Sequence, residues 1–378
     1  MKYIMLKDVC DINMGQSPDS SSYNDEGDGL PFFQGNADFG ERYPVTRKWC
    51  SVPTKIAKPE DILISVRAPI GALNYAREKC CIGRGLAALT PDKSKVSPEF
   101  IFWLLKAKNI ELNSKGTGST FKAIGRNVLE ETQVPNVPLT VQLEYSQVLE
   151  RIYAIIQSRK MQLQKLDDLV KARFVELFGD PLIGSGRYPK VPLGGLTEVG
   201  SSKRIFEKEY VSEGVSFYRT KEIVELSKGN RITTELFITK ERYDEIRSEY
   251  GVPQKGDLLI SAVGTIGVIW IVDGKNDFYY KDGNLLRVSA TERFVPEYLK
   301  HLLEVLIGAY KSEMSSGTAY AALTISALKE MMVYDVPYAE QKQFATFVTQ
   351  TDKSKVVIQK ALDEAQLLFD SLMQKYFG

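Results

Sequence analysis

Few residues in this 378-residue chain have the type and spacing needed for catalysis. The one histidine, His301, lies in the helical run EYLKHLLEVL, where an imidazole packed on a helix face fits better than a metal ligand or a triad base. The four cysteines, Cys10, Cys50, Cys80 and Cys81, form no C-x-x-C pair, so reduced, partly buried thiols are expected rather than a zinc site. Asp61 and Asp257 each precede a strand, as nuclease carboxylates do. Both are followed by apolar residues and a serine, with no E-x-K nearby, which fits turn residues that open a strand. No G-x-x-x-x-G-K-[ST] loop is present, and GTGST at 116–120 lacks a strand-to-helix frame. No cofactor and no metal are expected.

The two aspartates belong to a repeat. DILISVRAPIG (61–71) and DLLISAVGTIG (257–267) share six of eleven residues at an offset of 196. LPFFQGN matches VSFYRTK at 185, and SPEFIFWLL (97–105) matches VPEYLKHLL (295–303) at 198. GTGSTFKAI, NVPLTVQ and ELFG match SGTAYAAL, DVPYAEQ and KYFG at 199. An ordered series with a nearly constant offset marks a tandem duplication. Only the stretch between about 40 and 57 changes length, by 11 residues.

Each copy must therefore build the same frame. Short strands come first, then a length-variable polar loop. A strand that is apolar on both faces (DILIS, DLLIS) follows and belongs inside a sheet. A helix begins at Pro98 or Pro296. A second, shorter helix follows a Gly/Ser/Thr loop, with Asn127 and Glu130 spaced as a capping box in the first copy. Each copy ends in a helix of nearly 40 residues, because no proline or glycine interrupts 139–178 or 338–377. The expected apolar stripes are Leu149, Ile152, Ile156, Leu163, Leu166, Val170 and Leu177, and Phe344, Phe347, Ile358, Ala361, Ala365, Leu368 and Leu372. So long a stripe calls for another long helix, and each copy supplies the other's partner. The alternative is that each helix folds onto its own domain. The expectation is an α+β fold: two similar domains, at 1–138 and 180–337, separated by two long helices, at 139–179 and 338–378. The helices pair as an antiparallel coiled coil with pseudo-twofold symmetry.

Composition is that of an ordinary soluble protein, 43% hydrophobic and 26% charged with net charge +1. Near-neutral charge argues mildly against nucleic acid but leaves room for local basic patches. The opening MKYIMLKDVC is too short and too charged for a signal peptide, and no run of 18 apolar residues occurs, so a cytoplasmic protein is expected.

The ordered, duplicated set resembles the specificity subunits of type I restriction-modification systems over essentially the whole chain. The residues that carry the resemblance are Asp61, Leu63, Ile64, Ser65, Ile70 and Gly71 with their counterparts from Asp257 to Gly267, the loops Gly118-Ser119-Thr120 and Ser316-Gly317-Thr318, and the helix start Pro337-Tyr338-Ala339-Glu340-Gln341. The first copy departs in Thr140-Val141-Gln142, which has no glutamate before its glutamine. The resemblance implies a DNA-reading subunit without catalysis of its own. Each domain would be a target recognition domain for one half of a bipartite duplex site. The helices would set the spacing and bind methyltransferase subunits, two by the symmetry, with restriction subunits as further partners. A D/N-P-P-F/Y motif, needed by an adenine methyltransferase, is absent.

On that resemblance, base contacts fall in the length-variable pieces, at Arg42, Arg47 and Lys48 in GERYPVTRKW and at Arg231, Lys240 and Arg242 in SKGNRITTELFITKERYDE. The recurring Gly/Ser/Thr loops suit sequence-independent phosphate contacts through Ser119, Thr120 and Thr318, flanked in the first copy by Lys115, Lys122 and Arg126. A helix-capping turn is the other reading of these loops. Gln34, Asn36, Arg219 and Lys221 follow the aromatic strand pair and suit either kind of contact. Two rival functions stay open: a two-headed binding scaffold with a coiled-coil spacer, and an endonuclease fused to its own reader.

Overall fold

The structure is a computed structural model that describes residues 2–118, 122–184, 186, 188–314 and 322–378. Its two compact units cut across the long helices rather than at their ends. One comprises the chain up to Met161 together with Ile358–Gly378; the other is Gln162–Val357.

In the first unit a four-stranded antiparallel sheet runs Cys10–Met14, Leu86–Pro91, Ile62–Ser65, Leu73–Tyr75. A second sheet is mixed, with Leu30–Phe33 lying parallel to Cys80–Ile82 at its centre. The strand Ile62–Ser65 is buried along its length, as its unbroken apolar pattern requires. The second unit repeats this frame with Val199–Ser201, Leu285–Val288, Leu258–Ser261 and Ile269–Ile271, and with Val215–Tyr218 parallel to Phe278–Tyr280. The register is also the same: Leu86 faces Ser65, and Leu285 faces Ser261.

The repeated D-x-L-I-S…I-G motif is a self-locking hairpin. Ser65 Oγ donates to Pro69 O at 2.7 Å and accepts from Ala72 N at 2.9 Å, while Gly71 N donates to Ser65 O at 2.8 Å. Ser261 repeats this with Thr265 O, Val268 N and Gly267 N. Gly71 and Gly267 both sit at positive φ, 86° and 87°, and a Cβ there would run into Asn109 or Ile307 on the following helix. Asp61 accepts from Lys58 N and Thr90 Oγ1, and Asp257 from Gln254 N and Ala290 N. Both aspartates are buried turn-closers, as their sequence setting suggests.

The long helices run Leu139–Phe178 and Tyr338–Phe377. Within each unit they lie antiparallel. In the first, Tyr145 stacks on Tyr376 at 3.8 Å and Tyr153 lies 6.2 Å from Phe369; in the second, Asp167 pairs with Lys355 at 2.7 Å and Phe174 meets Phe344 at 5.4 Å. The helices do not fold onto their own domains alone, because the first unit's core is closed by Phe369, Met373, Tyr376 and Phe377 from the far end of the chain. Each buried aromatic contributes roughly 1.5–3 kcal/mol.

The stripes differ from expectation in two places. Phe174 and Phe178 are buried where Leu177 was expected, and Phe369 is 6% exposed while Leu368 is 52% exposed. Leu367-Leu368-Phe369 offers three registers, and the ring of Phe369 wins by packing 5.5 Å from Trp103. The capping box also fails to form: the short helix is Arg126–Glu130, capped by Gly125, and Glu130 pairs with Arg126 at 2.7 Å.

Candidate nucleic-acid interface

In the first domain the length-variable segment is a folded flap. Asp38 accepts from Gln34 N at 2.7 Å, and Phe39 bridges Pro44. The buried Asn74 amide clamps Gly40 through its N–H and its carbonyl, both at 3.1 Å. Tyr75 N donates to Arg42 O at 2.9 Å. The Arg42 side chain turns inward. Its guanidinium lies 4.7 Å from the Phe102 ring and 5.4 and 5.5 Å from Tyr75 and Trp103, and pairs with Glu150 of the central helix. Lys106 lies 4.3 Å from the Tyr153 ring, its ammonium pKa lowered by burial and then by Arg42. Arg42 therefore anchors the flap. Arg47 donates to Ala37 O at 3.1 Å and is exposed, as is Lys48. Gln34 is exposed and Asn36 half-buried at the base of the flap.

The second domain's longer insert holds regular structure that a polar loop reading did not anticipate. The helix Thr220–Ser227 lies just ahead of it; the insert contains the strand Phe237–Ile238, the counterpart of Trp49–Cys50, and runs into the helix Lys240–Glu249. Thr239 caps the last by accepting from Arg242 N at 3.2 Å, and Tyr243 and Ile246, three apart, bury its inner face. Arg242 pairs with Glu209 at 2.9 Å and Glu245 at 2.8 Å, and Lys240 with Asp244 at 3.0 Å. Arg219 pairs with the buried Glu222 at 3.1 Å. Lys221 is exposed, and the exposed Arg231 borders a recess lined by Tyr218, Trp270 and Phe278.

Of the Gly/Ser/Thr loops, Ser119, Thr120 and Thr318 fall outside the described residues. At the first loop's base Thr117 bridges Ala123, and Ala123 bridges Arg67. Lys115 pairs with Glu111 at 2.6 Å, while Lys122 is exposed. The structure also brings forward Arg67 and Arg84, which the sequence reading passed over. Both are exposed and line one concave surface with Gln34. The run Gly83-Arg84-Gly85 was the available signal: an arginine flanked by glycines just past a buried strand.

Elsewhere the chemistry is quiet. Burial pushes the Cys10 and Cys80 thiols up to about 12. Among the described residues no cluster of three His, Cys, Asp or Glu suits a metal ion, and no helix is long and apolar enough to cross a membrane.

A family model for the type I restriction modification DNA specificity domain matches the chain twice, over residues 1–167 and 187–366. Over 160 residues the chain is 42% identical to the "Putative type I restriction enzyme MjaX specificity subunit" of Methanocaldococcus jannaschii, a match that spans 42% of this chain and only 38% of that protein. It shares 21% identity over 420 residues with the type I restriction enzyme EcoBI specificity subunit of Escherichia coli, covering 99% of this chain and 85% of that one. The crystal structure of the type I restriction-modification system S subunit from M. genitalium has the same fold, with a TM-score of 0.60 at 16% identity, over 100% of this chain and 96% of that one.

Proposed function

The chain belongs to the type I restriction-modification DNA specificity family, and from that premise we propose that it is the non-catalytic reading subunit of a type I restriction-modification enzyme. Each globular domain reads one half of a bipartite duplex site. The paired helices fix the gap between the halves and dock methyltransferase subunits, two in number, and restriction subunits join the same assembly. Gln34, Asn36, Arg47, Lys48, Lys122, Lys221 and Arg231 face the DNA. Arg42, Arg219, Lys240 and Arg242 act behind them, holding the reading segments in shape through their carboxylate partners.

The observation that carries this reading is a shared frame with unlike inserts. Both domains keep the same four-stranded sheet, its register and the serine-locked hairpin. Around the strand pair that they share, one carries a clamped flap and the other two helices. Two unlike readers on one frame suit two unlike half-sites. The long helices support the docking role, since they leave Leu143, Ile155, Leu367 and Leu368 exposed.

The test is to co-express the full chain with a type I methyltransferase subunit and map the methylated bases. Replacing 40–57 is expected to change one half of the methylated motif and leave the other intact. Changes in both halves, or in neither, would show that the readers lie elsewhere. The chain alone is expected neither to methylate nor to cut DNA.

A further inference from the structure

We propose that the concave patch carrying Arg67 and Arg84 in the first domain reads a G·C pair of that domain's half-site through the major groove. The assignment rests on the DNA-reading function above.

Five backbone segments meet beneath the patch. Gly15 N donates to Leu86 O at 2.9 Å, Gln16 N to Ile82 O at 3.0 Å and Gly83 N to Phe33 O at 2.8 Å. Val66 N donates to Gly85 O at 2.9 Å, and Ala68 N to Lys122 O at 3.0 Å. The crossing is too tight for side chains: a Cβ on Gly15 would lie 2.2 Å from Gly83 O, and one on Gly85 2.3 Å from Gln34 O. The polar side chains are displaced to the outer face, where Arg67, Arg84 and Gln34 are exposed and share one concavity with Asp19. Backbone so fully hydrogen-bonded fixes the points from which the two arginine side chains project. Neither makes an ion pair with a described residue, in contrast to Arg42, Arg219 and Arg242.

The second domain separates base reading from phosphate binding. Val263 stands where the first domain has Arg67, and Lys281-Asp282-Gly283-Asn284 replaces Gly83-Arg84-Gly85. Asp282 is itself neutralised by Arg204 at 3.0 Å. Phosphates are present in both half-sites, whereas base edges differ between them, so arginines found at these positions on one domain alone belong to the differing part. The chemistry fits one pair. A guanidinium fork matches guanine O6 and N7, and a carboxylate accepts from cytosine N4. Asp19 is held ionised by hydrogen bonds from Ser21 N and Oγ, at 2.9 and 2.8 Å.

The test uses the full chain assembled with its methyltransferase subunits and a plasmid library with randomised segments, read by methylated-base mapping. Arg67→Ala and Arg84→Ala are expected to relax one G·C position in one half of the motif, lowering discrimination there about 5- to 150-fold. Arg84→Lys keeps the charge but not the fork, so it should relax that position while duplex affinity holds. Thermal melting confirms that each variant is folded. An unchanged motif in these variants overturns the patch and leaves the function standing, as does a uniform loss of affinity across all sequences, the mark of a phosphate contact. A wild-type assembly that yields no bipartite motif overturns the function and the patch together.

Discussion

Gln142 and Gln341 make the same three hydrogen bonds in the two domains. The Gln142 carboxamide accepts from Ser97 N at 2.9 Å and donates to Lys95 O at 3.3 Å and Val137 O at 2.9 Å. Gln341 accepts from Val295 N at 2.8 Å and donates to Arg293 O at 3.0 Å and Val336 O at 2.8 Å. Each is buried, and each ties the first turn of a long helix to the start of its domain's own helix. The neighbouring glutamate, present in one copy only, bonds to Tyr188 Oη instead. The glutamine, not the glutamate, is what joins each domain to its long helix.

Gln142→Ala and Gln341→Ala should each cost about 2–3 kcal/mol, the penalty for stranding a buried backbone N–H together with two carbonyls. Glutamate at either position should do no better, because a carboxylate cannot donate to the two carbonyls it would face. Urea denaturation followed by tyrosine and tryptophan fluorescence checks this. A shift under about 0.5 kcal/mol would mean that water replaces the amide without loss.

Arg42→Ala should loosen the flap at 38–48 more than it lowers global stability. The ring contacts and the Glu150 pair together contribute on the order of 1–2 kcal/mol at this partly exposed site. Limited proteolysis should cut the flap faster in the variant. Arg42→Lys should restore little, since an ammonium keeps the ion pair but lacks the planar stack.

His301 should withdraw stability from the second unit as pH falls from about 6.5 to about 4. His301 packs against Phe174 and Phe344, its Nε2 has no hydrogen-bond partner among the described residues, and burial followed by Lys171, Lys300 and Lys355 lowers its pKa to about 4. Glu304, 3.9 Å from Nδ1, and Asp167 and Asp352, which hold Lys355, are the carboxylates around it. The unfolded chain takes up the proton first, so stability is full above the unfolded pKa and declines through this window, by about 3 kcal/mol at most. His301→Leu should flatten this part of the profile. Denaturation midpoints at pH 7 and pH 4.5 decide it, and equal pH slopes in the two proteins would exclude His301 as the cause.

Leu367→Asp combined with Leu368→Asp should abolish co-purification with the methyltransferase subunits while leaving the melting temperature within about 2 °C. These side chains are 71% and 52% exposed, so the isolated fold gains little from them. Retained assembly would move the docking surface off this face.

The duplication, the two helices and the hairpin motif were legible because they depend on local signals: glycine at a positive-φ turn, serine opposite it, and forty residues without a breaker. Arg42 was not. Its partners Tyr75, Phe102, Trp103 and Glu150 lie up to 108 residues away along the chain, and a flap anchored through them looks in sequence like any charged loop. The helix at Lys240–Glu249 was hidden by its charge, though Tyr243 and Ile246 marked its buried face. The helix register slipped at Leu368 because adjacent apolar residues leave the stripe undefined until the neighbouring aromatics select one. The patch around Arg84 needs backbone crossings that no local pattern encodes.

The first unit draws Phe369, Met373, Tyr376 and Phe377 into its core. On the ribosome these residues emerge after the second domain, so the domain synthesised first waits, its apolar floor uncovered, until the second has been made. A nascent chain released early would carry a finished second frame and an open first one.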